Sequence, residues 1–283
     1  MPHGLGSVSG RVAVVTGAAS GIGRATAHAL AQRGAALALC DIDEIGLERT
    51  SHELRGVASR VFAERADVTD EAGVARFAAS VERELGVADL IVNSAGIVVV
   101  GRFLETPLAD WNRLIDVNLT GTVRVCRAFL PALVARGRGG YVVNVASAAA
   151  FTTLGDLSAY GASKHALVGL SQGLTEELFE HGIGVSLICP GFVDTPIANH
   201  AEVRGVLDAS AERRRIAEFL RSRGLSAARV AERIVRAVER GQAIVPVGIE
   251  ARMLRTLSRV APSALPFLVV GGRRLASWLG NRG

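Results

Sequence analysis

Lysine is nearly absent from this chain. Of its 32 basic side chains, 31 are arginine and one, Lys164, is lysine. Tyrosine is almost as scarce, with Tyr141 and Tyr160 alone, and aromatic residues make up 5%. No basic stripe interleaved with aromatics is present, so a nucleic-acid partner is not expected. Cys40, Cys126 and Cys189 are few, odd in number and far apart. That excludes a disulfide framework and leads us to expect a cytoplasmic protein. No apolar run approaches the ~20 residues of a membrane span. The opening "MPHGLGSVSGR" lacks the apolar core of a signal peptide. The six histidines show no paired ligand spacing, so no metal site is expected.

What is present is apolar. Across 283 residues, 49% are hydrophobic and 21% charged, enough for a buried core and too apolar for disorder. The net charge of +5 is unevenly placed. Residues 1–200 carry 16 basic and 20 acidic side chains, residues 201–283 carry 16 and 7. The body is slightly acidic and the remainder strongly basic.

Short apolar runs alternate with helix-length amphipathic stretches. Strands are expected at 11–16, 36–41, 60–64, 89–93, 141–147, 184–189 and 243–247. Several are Val-, Leu- and Ile-rich without alternation, as strands buried on both faces are. Helical patterns at 23–34, 71–85 and 227–240 fall between them. The expectation is an α/β fold: a doubly wound seven-stranded parallel sheet flanked by helices, one Rossmann-like domain over 8–250, and a C-terminal helical extension over 251–283.

In such a sheet, ligands bind beyond the carboxyl ends of the strands. The first strand ends in "TGAASGIG", Thr16 to Gly23, and enters a helix directly. Gly17, Gly21 and Gly23 let the backbone turn tightly and approach a pyrophosphate, whose charge meets free N–H groups at the helix start. Asp41 closes the second strand, where an acid accepts hydrogen bonds from ribose hydroxyls. Asp67 and Val68 follow the third, at the expected adenine edge.

"TGAASGIG", "NSAG" (93–96), Asn118, Ser147, "YGASK" (160–164) and "PG" (190–191) together resemble the short-chain dehydrogenase/reductase family, in order, over about residues 8–248. One departure is Ser94, where the family usually has a second Asn; it is expected to alter local turn bonding more than chemistry. The resemblance implies catalytic residues Asn118, Ser147, Tyr160 and Lys164. Ser147 would hydrogen-bond the substrate oxygen, and Asn118 would hold a water linking Lys164 to solvent. It also adds Ser20, Ile22, Asn93, Ala95, Gly96, Tyr160, Lys164, Pro190, Gly191, Val193 and Thr195 to the cofactor site, with Thr195 at the nicotinamide carboxamide.

The lone lysine now has a reason. A helix beginning near Ser158 places Tyr160 and Lys164, at i and i+4, on one face. A free tyrosine has a pKa of ~10, and an ammonium within ~4–6 Å would lower it by ~1–3 units. Lysine's compact ammonium also reaches ribose hydroxyls in a way that a planar guanidinium does not. His165 points away from that face and is read as structural.

These residues predict hydride transfer between a nicotinamide and a carbinol carbon, with Tyr160 as general acid/base. Asp41 would repel a 2′-phosphate, and Ser20, Ile42 and Asp43 supply no cation, so NAD is preferred to NADP. Two alternatives stay open: an NADP-dependent carbonyl reductase and a non-catalytic dinucleotide-binding regulator. Ile97, Val98, Phe151, Leu154, Phe192 and Ile197 offer an apolar wall, so a lipophilic secondary alcohol or ketone is the expected substrate. Substrate-binding roles fall to Ser147, Phe151, Leu154, Tyr160 and Phe192, beneath a lid at 196–225.

A homodimer or homotetramer is expected. In the basic extension, Met253, Leu254, Leu257 and Val260 line one side of a helix and Arg252, Arg255 and Arg259 the other. Its apolar side is expected to pack on the lid or on a neighbouring subunit. The second reading is peripheral contact with an anionic membrane surface.

Overall fold

The computed structural model describes residues 3–153 and 155–263. Seven strands form one parallel sheet: β1 Val12–Thr16, β2 Ala36–Asp41, β3 Val61–Arg65, β4 Leu90–Asn93, β5 Gly140–Val145, β6 Ile183–Pro190 and β7 Ile244–Val247. Their spatial order is β3-β2-β1-β4-β5-β6-β7, with parallel register throughout. All seven match expected strands to within two residues at either end. The shortfalls lie at strand ends, such as Ala146 and Ser147.

Alternate residues of each central strand feed opposite faces of the sheet. Ala13, Val15, Leu37, Leu39, Leu90 and Val92 join a core with α1 (Gly21–Ala31) and α8 (Ala227–Arg240). Val14, Ala38, Cys40 and Ile91 join a second core with α3 (Glu71–Leu85) and α5 (Gly121–Arg136). This two-sided burial explains the near-continuous apolar strand sequences. Tyr141 is wholly buried, and its hydroxyl bonds Ser186 Oγ at 2.9 Å and donates to the Ala237 carbonyl at 3.2 Å. One of the two tyrosines is therefore a core residue.

The remaining helices are α2 (Glu44–Leu54), α4 (Leu108–Ile115), α6 (Ser158–Glu177), α7 (Ala209–Arg223) and α9 (Ile249–Val260). Asp43 caps α2 by accepting the Gly46 N–H, and Asp208 caps α7 by accepting those of Ser210 and Ala211. Between α4 and α5 the helix widens into one π turn, Asp116–Thr120, which carries Asn118.

Two short ladders were not expected from sequence. Val99–Val100 pairs with Glu202–Val203, and Val193–Asp194 with Leu225–Ser226. They fasten both ends of the 196–225 segment to the body. The boundary placed at residue 250 cuts through the first turn of α9. The apolar-face reading of that helix needs correction as well. Met253 and Val260 are 58% and 78% exposed, while Ala251 is buried and Arg255 turns inward, donating to the Ile244 carbonyl at 3.1 Å. Packing against β7 selects the Ala251–Leu254–Arg255–Ser258 side instead. Residues 264–283, the rest of the expected extension, lie outside the described residues. Among the described residues, no helix is long and apolar enough to cross a membrane.

Candidate active site

The strand order reverses between β1 and β4, and a cleft of about 780 Å³ opens there at the carboxyl ends of the strands. Thr16 closes β1, and its Oγ1 accepts the N–H groups of Ser94 and Ala95, each at 3.1 Å. This bond holds the "NSAG" turn against the glycine loop. Gly17 has φ +67°, and a Cβ there would lie 2.8 Å from the Ala95 nitrogen. Glycine is required at that point by both conformation and space.

The turn delivers the chain to α1, whose first N–H groups have no partner within the helix. Ser20, the N-cap, makes no side-chain cap bond, and no acid occupies the first turn. The N–H groups therefore face the cleft uncompensated. Asp41 lies at its edge, with its carboxylate accepting the N–H groups of Ala19 at 2.9 Å and Asp43 at 3.0 Å. Arg24 is spent elsewhere, on a forked pair with Glu53 at 2.6 and 2.7 Å. Arg65, which sequence reasoning passed over, donates to the Ile42 carbonyl at 3.3 Å beside this edge. It stands opposite Asp41 in the β2–β3 register, a pairing only the fold reveals.

At the other end of the cleft, α6 presents Tyr160 and Lys164 together. Lys164 is 5% exposed, and its Nζ lies 5.7 Å from the Tyr160 ring centroid and donates to the Val145 carbonyl at 3.2 Å. An ammonium has three N–H donors, so two remain for the cleft. Burial lowers the Lys164 pKa to about 8, opposed by the neighbouring Cys189. Burial raises the Tyr160 pKa, and a hydrogen bond with Ser147 pulls it back. Desolvation is the largest cause, so in the protein alone the expected lowering of Tyr160 by lysine is not seen and its pKa is raised. Ser147 also accepts the Ala149 N–H at 3.1 Å, which fixes its side chain.

Asn118 is 1% exposed. Its Oδ1 accepts the Ile97 N–H at 2.9 Å, and its Nδ2 donates to the Ile97 carbonyl at 3.1 Å and to Ser163 Oγ at 3.0 Å. A Cβ at Gly96 would fall 3.1 Å from Asn118 Oδ1 and 3.4 Å from Lys164 Nζ, so glycine keeps the two groups facing one space.

The cleft brings together Gly17, Ser20, Gly21, Ile22, Gly23, Asp41, Asp67, Val68, Ala95, Gly96, Tyr160, Lys164 and Thr195. Several other expected site residues do not line it, among them the expected catalytic Asn118, which stands behind Gly96, and Ser147, which bonds Tyr160. Asn93 is buried and donates to Asn144 Oδ1 at 2.9 Å, tying β4 to β5. Phe151 packs with Leu167, Leu187 and Cys189 in the core. Phe192 points to α7, edge-on to Phe219 at 5.0 Å. Pro190, Gly191 and Val193 form the turn behind Thr195 and do not line the open cleft. Leu154 lies outside the described residues. Asn112, Arg113, Asp116, Val117 and His200 do line it and were missed; Asn112 and Asp116 at i and i+4, just before Asn118, were the legible hint.

A family profile described as short chain dehydrogenase matches residues 11–204. The chain belongs to the short-chain dehydrogenase family. Among curated members, the probable oxidoreductase EphD of Mycobacterium tuberculosis is 43% identical over 255 residues, covering 89% of this chain. The chain spans 43% of that protein's length. The putative oxidoreductase SadH of the same organism is 35% identical and covers 95% of this chain and 97% of its own. A Burkholderia phymatum short-chain dehydrogenase/reductase solved with NAD superposes with a TM-score of 0.83 at 30% identity, over 93% of this chain and 96% of that one. An alcohol dehydrogenase from Thermococcus sibiricus, solved with 5-hydroxy-NADP, reaches 0.71 at 27% identity, over 84% and 94%. Both dinucleotides thus occur among short-chain dehydrogenases similar to this one.

Proposed function

We propose that this short-chain dehydrogenase is an NAD-dependent oxidoreductase acting on a lipophilic secondary alcohol or ketone. The observation that carries this reading is the joint placement of Tyr160 and buried Lys164 at one end of a cleft whose other end is closed by Asp41. The residues fit the dinucleotide: the glycine loop and bare α1 N-terminus suit a pyrophosphate, and Asp41 suits unphosphorylated ribose hydroxyls. Gly17, Gly21, Ile22 and Gly23 would hold the phosphates, Asp67 and Val68 the adenine edge, and Thr195 the nicotinamide end. When bound, the nicotinamide supplies or accepts a hydride.

The chain's own groups handle the proton. Tyr160 Oη carries it to or from the substrate oxygen, and Ser147 Oγ hydrogen-bonds that same oxygen. Lys164 puts positive charge beneath the ring and offers N–H groups towards the ribose, which favours the phenolate that burial alone opposes. Ile97, Val98 and Ile197 line the cleft near this end and favour an apolar substrate. A Streptomyces exfoliatus relative, 41% identical over 189 residues, is named 1-deoxy-11-beta-hydroxypentalenate dehydrogenase. That name describes a hydroxylated carboxylate, so it supports an alcohol as the reacting group and not a purely hydrocarbon skeleton around it.

Following nicotinamide reduction over a panel of apolar alcohols, polyols and hydroxy acids tests the reading. Turnover of apolar alcohols with NAD supports it, and a clear preference for polyols or small polar hydroxy acids overturns the substrate class. An NADP-dependent carbonyl reductase is the second reading, favoured by Arg65 beside the ribose edge.

A further inference from the structure

On α8 the arginines fall at 229, 233, 236 and 240. Steps of four, three and four keep them on one stripe of the helix. The opposite side carries Val230, Ile234, Val235 and Val238, buried in the core. Arg229, Arg236 and Arg240 are exposed, and half-buried Arg233 has an Nε with no hydrogen-bond partner. Arg252 on α9 extends the stripe. Burial first, then the charges of Arg252, Arg236 and Arg240, holds the Arg233 guanidinium below its ordinary pKa.

Among the described residues, none of these five arginines forms a salt bridge. Glu232, the acid that feels Arg236, is itself held by Arg33 at 2.7 Å. Beside the stripe, the outer side of α9 leaves Ile249, Met253 and Val260 exposed by 73%, 58% and 78%. The surface therefore pairs uncompensated guanidinium groups with aliphatic side chains on adjoining helices.

We propose that the outer faces of α8 and α9 form a docking surface for an anionic lipid bilayer. The charge pattern selects this occupant. A second copy meeting the same face across a two-fold axis would set arginine against arginine. The chain's own residues 264–283 carry three arginines and no acid, so they do not neutralise it either. A nucleic acid would satisfy the guanidinium groups and leave the three aliphatic side chains in water. An anionic bilayer takes both: headgroup phosphates meet the arginines, and the interfacial acyl region takes Ile249, Met253 and Val260. The proposal does not depend on the catalytic reading of the cleft.

Cosedimentation of the full chain tests it, with vesicles of phosphatidylcholine alone and with phosphatidylglycerol added. Binding should require phosphatidylglycerol and weaken as salt is raised. Replacing the three exposed arginines together, Arg229→Gln, Arg236→Gln and Arg240→Gln, should reduce affinity by about 100-fold, with dinucleotide binding and melting temperature unchanged. Met253→Ser with Val260→Ser should weaken binding while keeping its salt dependence. Equal binding to neutral vesicles overturns the proposal. So does unaltered binding by the triple variant, which would place any lipid contact elsewhere in the chain. Tight binding of a DNA duplex without vesicle binding overturns it in favour of a nucleic-acid partner.

Discussion

The carboxylate of Glu250, in the first turn of α9, accepts the backbone N–H of Phe192 at 3.0 Å. A Cβ at Gly191 would overlap that carboxylate, and one at Gly248, where φ is +107°, would lie 2.8 Å from Oε1. The acid therefore fills the space two glycines leave and ties α9 to the turn that leads to Thr195.

By holding this turn, Glu250 is proposed to position Thr195 at the cleft. Glu250→Gln keeps an acceptor and should stay within a few-fold of wild type. Glu250→Ala should destabilise the fold by about 1 kcal/mol and raise the KM for dinucleotide more than it lowers kcat. Equal loss in the two variants, or loss in kcat alone, would show that the contact does not position this turn.

The proposed preference for NAD rests on Asp41. Catalytic efficiency should be at least about tenfold higher with NAD than with NADP, the scale of one repelled charge near a protein surface. Asp41→Asn should narrow that ratio, because it removes the charge and keeps one acceptor for the Ala19 N–H. Measuring kcat/KM for both cofactors in both proteins decides it. Equal use of NADP by wild type would instead give Arg65 the governing role.

An ionic latch holds the 196–225 segment. Arg204 donates to Asp110 on α4 at 2.7 and 3.2 Å, and its Cβ would lie 2.9 Å from a Cβ added at Gly101. Asp110 is only 7% exposed, so removing the arginine strands a covered carboxylate. Arg204→Ala should cost about 1–3 kcal/mol in urea unfolding and speed proteolytic cleavage between 204 and 226. Unchanged cleavage would show that the latch does not restrain the segment.

Much of this arrangement was legible because it is local or periodic. Short apolar runs, several of them Val- and Leu-rich, marked the strands of the main sheet, and the glycine loop, Asp41 and the Tyr160–Lys164 pair each sit within one turn or one strand end. What the sequence hid is long-range. Arg204 and Asp110 are 94 positions apart, and Glu250 and Phe192 are 58. Nothing in the local pattern of either partner announces such a contact. Asn93 resembled a cofactor ligand because it stands beside Ala95 and Gly96, yet alternation along β4 turns it into the sheet towards Asn144. Phe151 is apolar and near the cleft, and apolarity alone does not distinguish a substrate wall from a core; Phe192 is 44% exposed and packs on Phe219 instead. The inward turn of Arg255 follows from the packing of α9 on β7, which the charge pattern of the helix does not show.

Lys164 also predicts a pH effect on stability. Its pKa falls from the ordinary 10.5 to about 8 in the folded protein, so between those values the unfolded chain binds more protons. Stability from this group therefore rises with pH across that window. The buried thiols of Cys126 and Cys189, raised to about 11 and 12, act in the opposite sense above their ordinary 9.0. Comparison with Lys164→Met isolates the lysine. The difference in melting temperature, wild type minus variant, should increase from pH 8 to pH 10. A flat difference would mean that the ammonium is not desolvated.

The proton-carrying role proposed for Tyr160 is tested most directly by Tyr160→Phe, which keeps the ring against the cluster of Val99, Leu114 and Ala159 and removes the hydroxyl. Turnover of an apolar secondary alcohol with NAD should fall by at least about 100-fold, the scale of general acid–base catalysis, while dinucleotide affinity stays within a few-fold. Turnover within a few-fold of wild type would contradict the account, because another group would then be moving the proton.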